Sequence, residues 1–192
     1  MFLRIASIVL LVGGSAFAQG ISVVSDTNVL LEQGRDLAEK EAANLEAIVE
    51  RSPDDLSSRT ILLSYYYNNR STADPEGQQL YKHLLWIIKE YSGSEIAERH
   101  ITHLDSTDGE MFNQIRELWL EQVESHKQNP LVAANAANFF KHSNVVKEEA
   151  LLIRAQEIEP ENPKWAERLG INYIKRWRMA PRKDLALNAL GI

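Results

Sequence analysis

The chain has 192 residues, 44% of them hydrophobic and 25% charged, with a net charge of -6 and no cysteine. That balance is globular and excludes disordered, collagen-like and disulfide-stapled classes. The missing cysteine also excludes thiol catalysis, cysteine-based zinc or iron–sulfur sites and a lipidated N-terminal cysteine.

The N-terminus carries one basic residue, Arg4, then an apolar run from Ile5 to Val12 and the small residues Gly13, Gly14 and Ser15. Ala16-Phe17-Ala18 follows, before Gln19. This order predicts a secretory signal peptide over 1–18, cleaved after Ala18. An uncleaved anchor is the competing reading, but the run is interrupted and short of the roughly 20 apolar residues that a spanning helix needs. A lipoprotein would carry Cys where Gln19 stands. The chain is therefore expected to be exported, periplasmic or secreted, with no integral membrane segment after cleavage. Residues 19–34 read as a flexible N-terminal segment, and 35–192 as one helical domain.

Apolar residues recur at helical spacing along that domain. Arg35 to Arg51 offers Ala38, Ala42, Leu45 and Val49, and Pro75 to Tyr91 offers Leu80, Leu84, Ile87, Ile88 and Tyr91. Glu110 to Glu124 offers Met111, Ile115, Leu118, Trp119 and Val123. The segment opened by Pro163 has Trp165, Leu169, Tyr173 and Trp177 in a four-residue stripe. The run Thr60 to Tyr67 is β-branched and aromatic enough for a strand, but it has no partner strand and reads as helix. The expectation is about nine helices and no strand.

The prolines mark element boundaries. Asp74-Pro75, Asn129-Pro130 and Asn162-Pro163 each read as an N-cap with Pro at the first helical position. Pro53 and Pro160 stop the helices before them, and Pro181 separates the last two segments. Asn129-Pro130 and Asn162-Pro163 stand 33 residues apart, and the helices they open align Ala136 with Leu169, Ala137 with Gly170 and Phe140 with Tyr173. Counting back, Ser94-Glu95 and Asp55-Leu56 open earlier units. A period in the low thirties built of helix pairs predicts a solenoid.

Trp165, Leu169-Gly170 and Tyr173 follow the pattern W-x2-L-G-x2-Y apart from a one-residue offset of the tryptophan, and Ala155 and Pro160 fit the late Ala and closing Pro. In these features the chain resembles the tetratricopeptide repeat family, most clearly over 129–178. From 36 to 128 the similarity is carried by Ser52-Pro53, Tyr66 and the helix rhythm. The resemblance implies an all-α, right-handed helical-hairpin solenoid of about four such repeats. The small residues Ala137 and Gly170 are expected to let paired helices approach, with Trp165, Tyr173 and Phe140 packed beside them.

Searches for chemistry-bearing motifs find no phosphate-binding glycine loop, no dinucleotide fingerprint, no H-E-x-x-H and no nucleophile elbow. No catalytic residue, cofactor or metal ligand is assigned. One ionisable cluster, Glu98, His100, His103, Asp105, Asp108 and Glu110, places two histidines three residues apart. It supports an alternative reading as a small metal-binding or enzymatic helical protein, set against a helix end and its solvated turn. The charges are split. Residues 164–192 carry +5 and 19–163 carry -12. The basic end reads first as packed on the acidic body, and second as a site for an anionic partner or lipid surface. Nucleic acid is not expected, given the export signal and acidic body.

In helical solenoids the first helix of each pair lines a concave surface that binds segments of other proteins. The residues expected to meet a protein or peptide partner there are Asn135, Asn138 and Lys141 of one repeat and Arg168 and Lys175 of the next. The function read from the sequence is an exported, non-catalytic scaffold. Self-association is a further expectation, because Pro181 to Leu190 lacks the polar outer face of a terminal repeat.

Overall fold

A computed structural model describes residues 23–99 and 109–179, and every regular element within them is an α-helix. In chain order these are α1 (Val23–Arg35), α2 (Glu39–Arg51), α3 (Leu56–Asn68), α4 (Arg70–Ala73) and α5 (Gln78–Tyr91). They continue as α6 (Glu95–Arg99), α7 (Gly109–Ser125), α8 (Pro130–Phe140), α9 (Val145–Ile158) and α10 (Pro163–Met179). The expected signal peptide, His100, His103, Asp105 and Asp108, and the segment from Pro181 to Leu190 lie outside the described residues. Among the described residues no helix is long and apolar enough to cross a membrane.

Side chains of the boundary residues explain where the helices start. Asp55 accepts the Ser58 N–H at 3.1 Å at the head of α3, and Asn129 accepts Leu131 N–H at 3.0 Å at the head of α8, where Pro130 takes the first helical position. Asn162 Oδ1 accepts the Lys164 N–H at 3.1 Å as Pro163 opens α10. Each bond satisfies one of the donors that a helix leaves open at its first turn. Asp74-Pro75 departs from this scheme. The chain turns there, Gly77 at φ +73° precedes α5, and the buried Asp74 reaches across the turn to accept Leu80 N–H at 2.8 Å. The proline belongs to a turn, and the aspartate caps a helix that begins three residues beyond that proline.

The run Thr60 to Tyr67 is helical and sits in α3, which touches α1, α2, α4 and α5. Contact on so many sides explains its nearly all-round burial: Leu62, Leu63, Tyr65 and Tyr66 are all in the core. Most of the stretch 19–34 that reads as flexible is α1. That helix packs on α3 through Thr27, Leu31 and Gly34, one face at i, i+4 and i+7. Its signal in the sequence is weak because two of the three facing residues are a threonine and a glycine.

Successive helices pack on their neighbours: α3 on α5, α5 on α7, α7 on α8, α8 on α9 and α9 on α10, while the short α6 meets α1, α5 and α8. One continuous core runs from Ala42 to Leu169 and contains the fully enclosed Trp119. A satellite forms where Trp165 of α10 fills the notch left by Ala133 and Ala134 of α8 and Ala155 of α9. Small residues therefore do let these helices approach, and a tryptophan fills the resulting gap. Phe140 is buried as expected, but Tyr173 is 48% exposed and a methyl group added at Gly170 would have nothing within 4 Å.

The physical reason for that difference is the stripe's own spacing. A helix advances 100° per residue, so residues four apart drift by about 40° at each step. Trp165 and Leu169 lie on the buried side of α10, and by Tyr173 and Trp177 the stripe has moved onto the open side.

Candidate interaction surface

The five residues assigned to partner contact come together along α8 and α10, and their polar groups are largely used inside the fold. Asn135 is 3% exposed and donates from Nδ2 to the carbonyls of Ser92 and Ser94, each at 2.9 Å. Both carbonyls belong to the turn between α5 and α6; Ser94 also accepts the Glu98 N–H at 3.3 Å, and the amide satisfies the Ser92 carbonyl, which has no backbone donor. Asn138 donates to the Glu98 carbonyl of α6 at 3.4 Å and accepts from Arg168 Nη2 at 2.9 Å. Arg168 also donates to the Ala134 carbonyl at 2.9 Å. Lys175 donates to the Lys141 carbonyl at 2.7 Å and pairs with Glu148. Lys141 thus enters the network through its main chain, and its side chain stays half-exposed.

The expectation that Asn135 is exposed is corrected by this burial. A helix-surface position that faces solvent in the isolated helix faces the α5–α6 turn once that turn packs alongside. The same network takes up four basic residues of α10. Lys164 and Arg168 each lie 3.7 Å from Glu98 Oε1, Lys175 pairs with Glu148, and Arg176 pairs with Glu149. Four positive charges of α10 thus rest on acids of α6 and α9, while Arg178 stays outside these pairs. Burial pulls the Arg168 guanidinium below its ordinary pKa, opposed by Glu98 and Glu148.

A second polar group is buried where the sequence reading did not assign one. His83 of α5 is fully enclosed, with Nε2 2.7 Å from Glu46 Oε1 of α2, and the Tyr66 ring of α3 stacks on it at 5.8 Å between centroids. Lys82 Nζ lies 3.2 Å from the other Glu46 oxygen. Burial acts to raise the Glu46 pKa, but the hydrogen bond and charge of His83, then those of Lys82, hold it down at about 2. Burial, reinforced by the Glu46 charge, pushes the Tyr66 phenol above its ordinary value. A signal for this cluster was present, since His83 sits three residues after Leu80 and four before Ile87 on the apolar stripe of α5. With the histidine enclosed and the carboxylate 18% exposed, the pair is a polar strut between α2 and α5.

Among the described residues no group of three or more His, Asp and Glu is arranged to hold a metal ion. An open groove of about 420 Å³ is lined by Pro53, Asp54, Trp86, Glu90 and Tyr91, and the Arg59 guanidinium covers the Trp86 ring at 4.2 Å. Among the described residues α10 carries a group of exposed apolar side chains, with Ile171 55%, Ile174 53% and Trp177 72% exposed. No protein-family model, curated protein or solved structure matches the chain.

Proposed function

We propose that the chain is an exported, non-catalytic scaffold of tetratricopeptide-like helix pairs that binds a segment of another protein on its concave side, along α6, α8 and α10. The observation that carries this reading is the spacing of the bonds between units. Ser64 reaches Leu31 across 33 residues, Arg168 reaches Ala134 across 34, and Lys175 reaches Lys141 across 34. Contacts that recur at the length of one helix pair are the mark of stacked repeats. The row α6, α8 and α10 is held rigid by Asn135, Asn138, Arg168 and Lys175, so little ordering cost remains when a partner binds. These residues build the surface, and neighbouring exposed groups, Leu131 at 44% exposure and the Lys141 side chain, are left to meet the partner.

Site-specific photo-crosslinking tests the reading. A crosslinker at Leu131 or Lys141 is expected to trap one defined partner, and one at Ile153, an exposed residue of α9, is expected to trap none of it. Capture of the same partner from all three positions, or from none, overturns the reading.

A further inference from the structure

The open side of α10 has a pattern of its own, separate from the concave surface. Ala166, Gly170, Tyr173, Ile174 and Trp177 fall within a stripe about 100° wide on the helix. Ala166 is exposed, Gly170 adjoins empty space, and the three large residues are 48%, 53% and 72% exposed. The positions of α8 that align with Gly170 and Tyr173 are Ala137 at 0% and Phe140 at 3% exposure, on a helix flanked by α7 and α9. A face that is covered by packing in one unit is bare in the next. Clustered exposed apolar side chains on a folded protein mark interaction sites.

We infer that this face pairs with α10 of a second copy of the chain, antiparallel and about a twofold axis. The order of side chains along the stripe carries the inference. Its first half is small, Ala166 and Gly170, and its second half is large, Tyr173 and Trp177. When the helix is set against itself in reverse, with the axis level with Ile171 and Asn172, Trp177 meets the second copy's Ala166 and Tyr173 meets the second copy's Gly170. Both contacts occur twice by symmetry, as a twofold interface requires. The surface is complementary to itself in that direction, whereas a parallel pairing in register sets ring on ring and leaves the small residues opposite each other.

Charge agrees with the same register. Glu167 and Arg178 flank the stripe along one edge, both exposed, and neither takes part in the ion pairs that fix α10 to α6 and α9. In the antiparallel pairing Glu167 comes within two residues, about 3 Å of helix rise, of the second copy's Arg178. Two such pairs form at the rim. Rim ion pairs contribute modestly to affinity, but they select orientation. The aromatic rings supply most of the burial.

The test is the concentration dependence of molar mass, by sedimentation equilibrium, for the purified chain and four variants. The chain is expected to show a reversible monomer–dimer equilibrium. Trp177→Asp and Gly170→Leu are each expected to raise the dimer dissociation constant at least about 100-fold. Gly170→Leu is the sharper variant, because its side chain enters empty space in the monomer and leaves the melting temperature unchanged or higher. Glu167→Arg is expected to weaken the dimer a few-fold, and adding Arg178→Glu to restore it. A chain that stays monomeric at every concentration overturns the proposal; its face is then covered from within the chain or by another protein. A dimer indifferent to Gly170→Leu overturns it too. Failure of the double charge variant to recover overturns the antiparallel register.

Discussion

A methyl group added at Gly34 would lie 2.2 Å from the Ile61 carbonyl oxygen and 2.6 Å from Ser64 Cβ, both on the facing helix α3. The backbones of α1 and α3 approach so closely there that only glycine fits, and Ser64 Oγ donates to the Leu31 carbonyl at 2.7 Å across the same contact. Gly34→Ala is expected to lower stability by about 1–3 kcal/mol, read as a lower urea midpoint, because the two helices must part. Glu46 is the second residue with a clear outcome. Its carboxyl has an ordinary pKa of 4.5 and is held at about 2 in the fold, so its ionised form favours the native state. That contribution is fully present above pH 4.5 and is lost as pH falls toward 2. Glu46→Gln is therefore expected to be less stable than the parent at neutral pH, with the gap closing through the acid range in urea titrations at stepped pH. Gly34 and Glu46 are ordinary letters in the sequence, since neither stands in a motif. Their roles come from partners 27 and 37 residues away, Ile61 and His83.

At the scale of the helix, local chemistry was legible wherever it acts within a few residues. Asn129-Pro130 and Asn162-Pro163 open α8 and α10, and Asp55 opens α3, because an N-cap needs only the next turn. Asn129→Ala is expected to cost about 1 kcal/mol, measured by thermal or urea unfolding. Asp74-Pro75 has the same two letters and a different outcome. Gly77 admits a left-handed turn between Pro75 and α5, and the aspartate then caps from farther away. Helix faces were legible to the extent that a stripe keeps to the helical period. Leu80, Leu84, Ile87 and Ile88 of α5 do so and are all buried. The four-spaced aromatics of α10 do not, and the stripe leaves the core halfway along. Asn135 shows the limit for polar residues, since an amide on a helix surface looks the same whether water or a buried turn lies opposite. Asn135→Ala is expected to cost about 1–3 kcal/mol by leaving the Ser92 carbonyl without its donor and removing one of the two donors to Ser94. A residue with an exposed side chain in the same position would cost far less.

Across the whole molecule, the core threads from α2 to α10 without a break, while the two ends of the described chain are held differently. The α1 end is anchored by Gly34, Leu31 and Thr27, and the α10 end by Trp165, Leu169 and the ion pairs of Lys175 and Arg176. At concentrations where the chain is monomeric, amide hydrogen exchange is expected to be slowest in α3, α5 and α8, which carry the densest runs of buried side chains, and fastest in the last two turns of α10. Equal protection along α10 would show that its open face is covered in solution, as the dimer requires at high concentration. The split of charge, an acidic body and a basic end, also acts at this scale. Part of it is spent within the molecule, where Glu98, Glu148 and Glu149 receive Lys164, Arg168, Lys175 and Arg176.

By itself the sequence determined the all-helical class, most helix starts and stops, and the 33-residue spacing between the starts of α8 and α10. These follow from backbone preferences, caps and hydrophobic spacing, which operate over one or two turns. Tertiary structure alone decided that Asn135, Asn138, Arg168 and Lys175 serve as ties between helices, that the buried His83 joins Glu46, and that one side of α10 is left bare. Each of those outcomes depends on which element lies opposite a given face. That identity is fixed by packing between residues some thirty or more positions apart, and no local pattern encodes it.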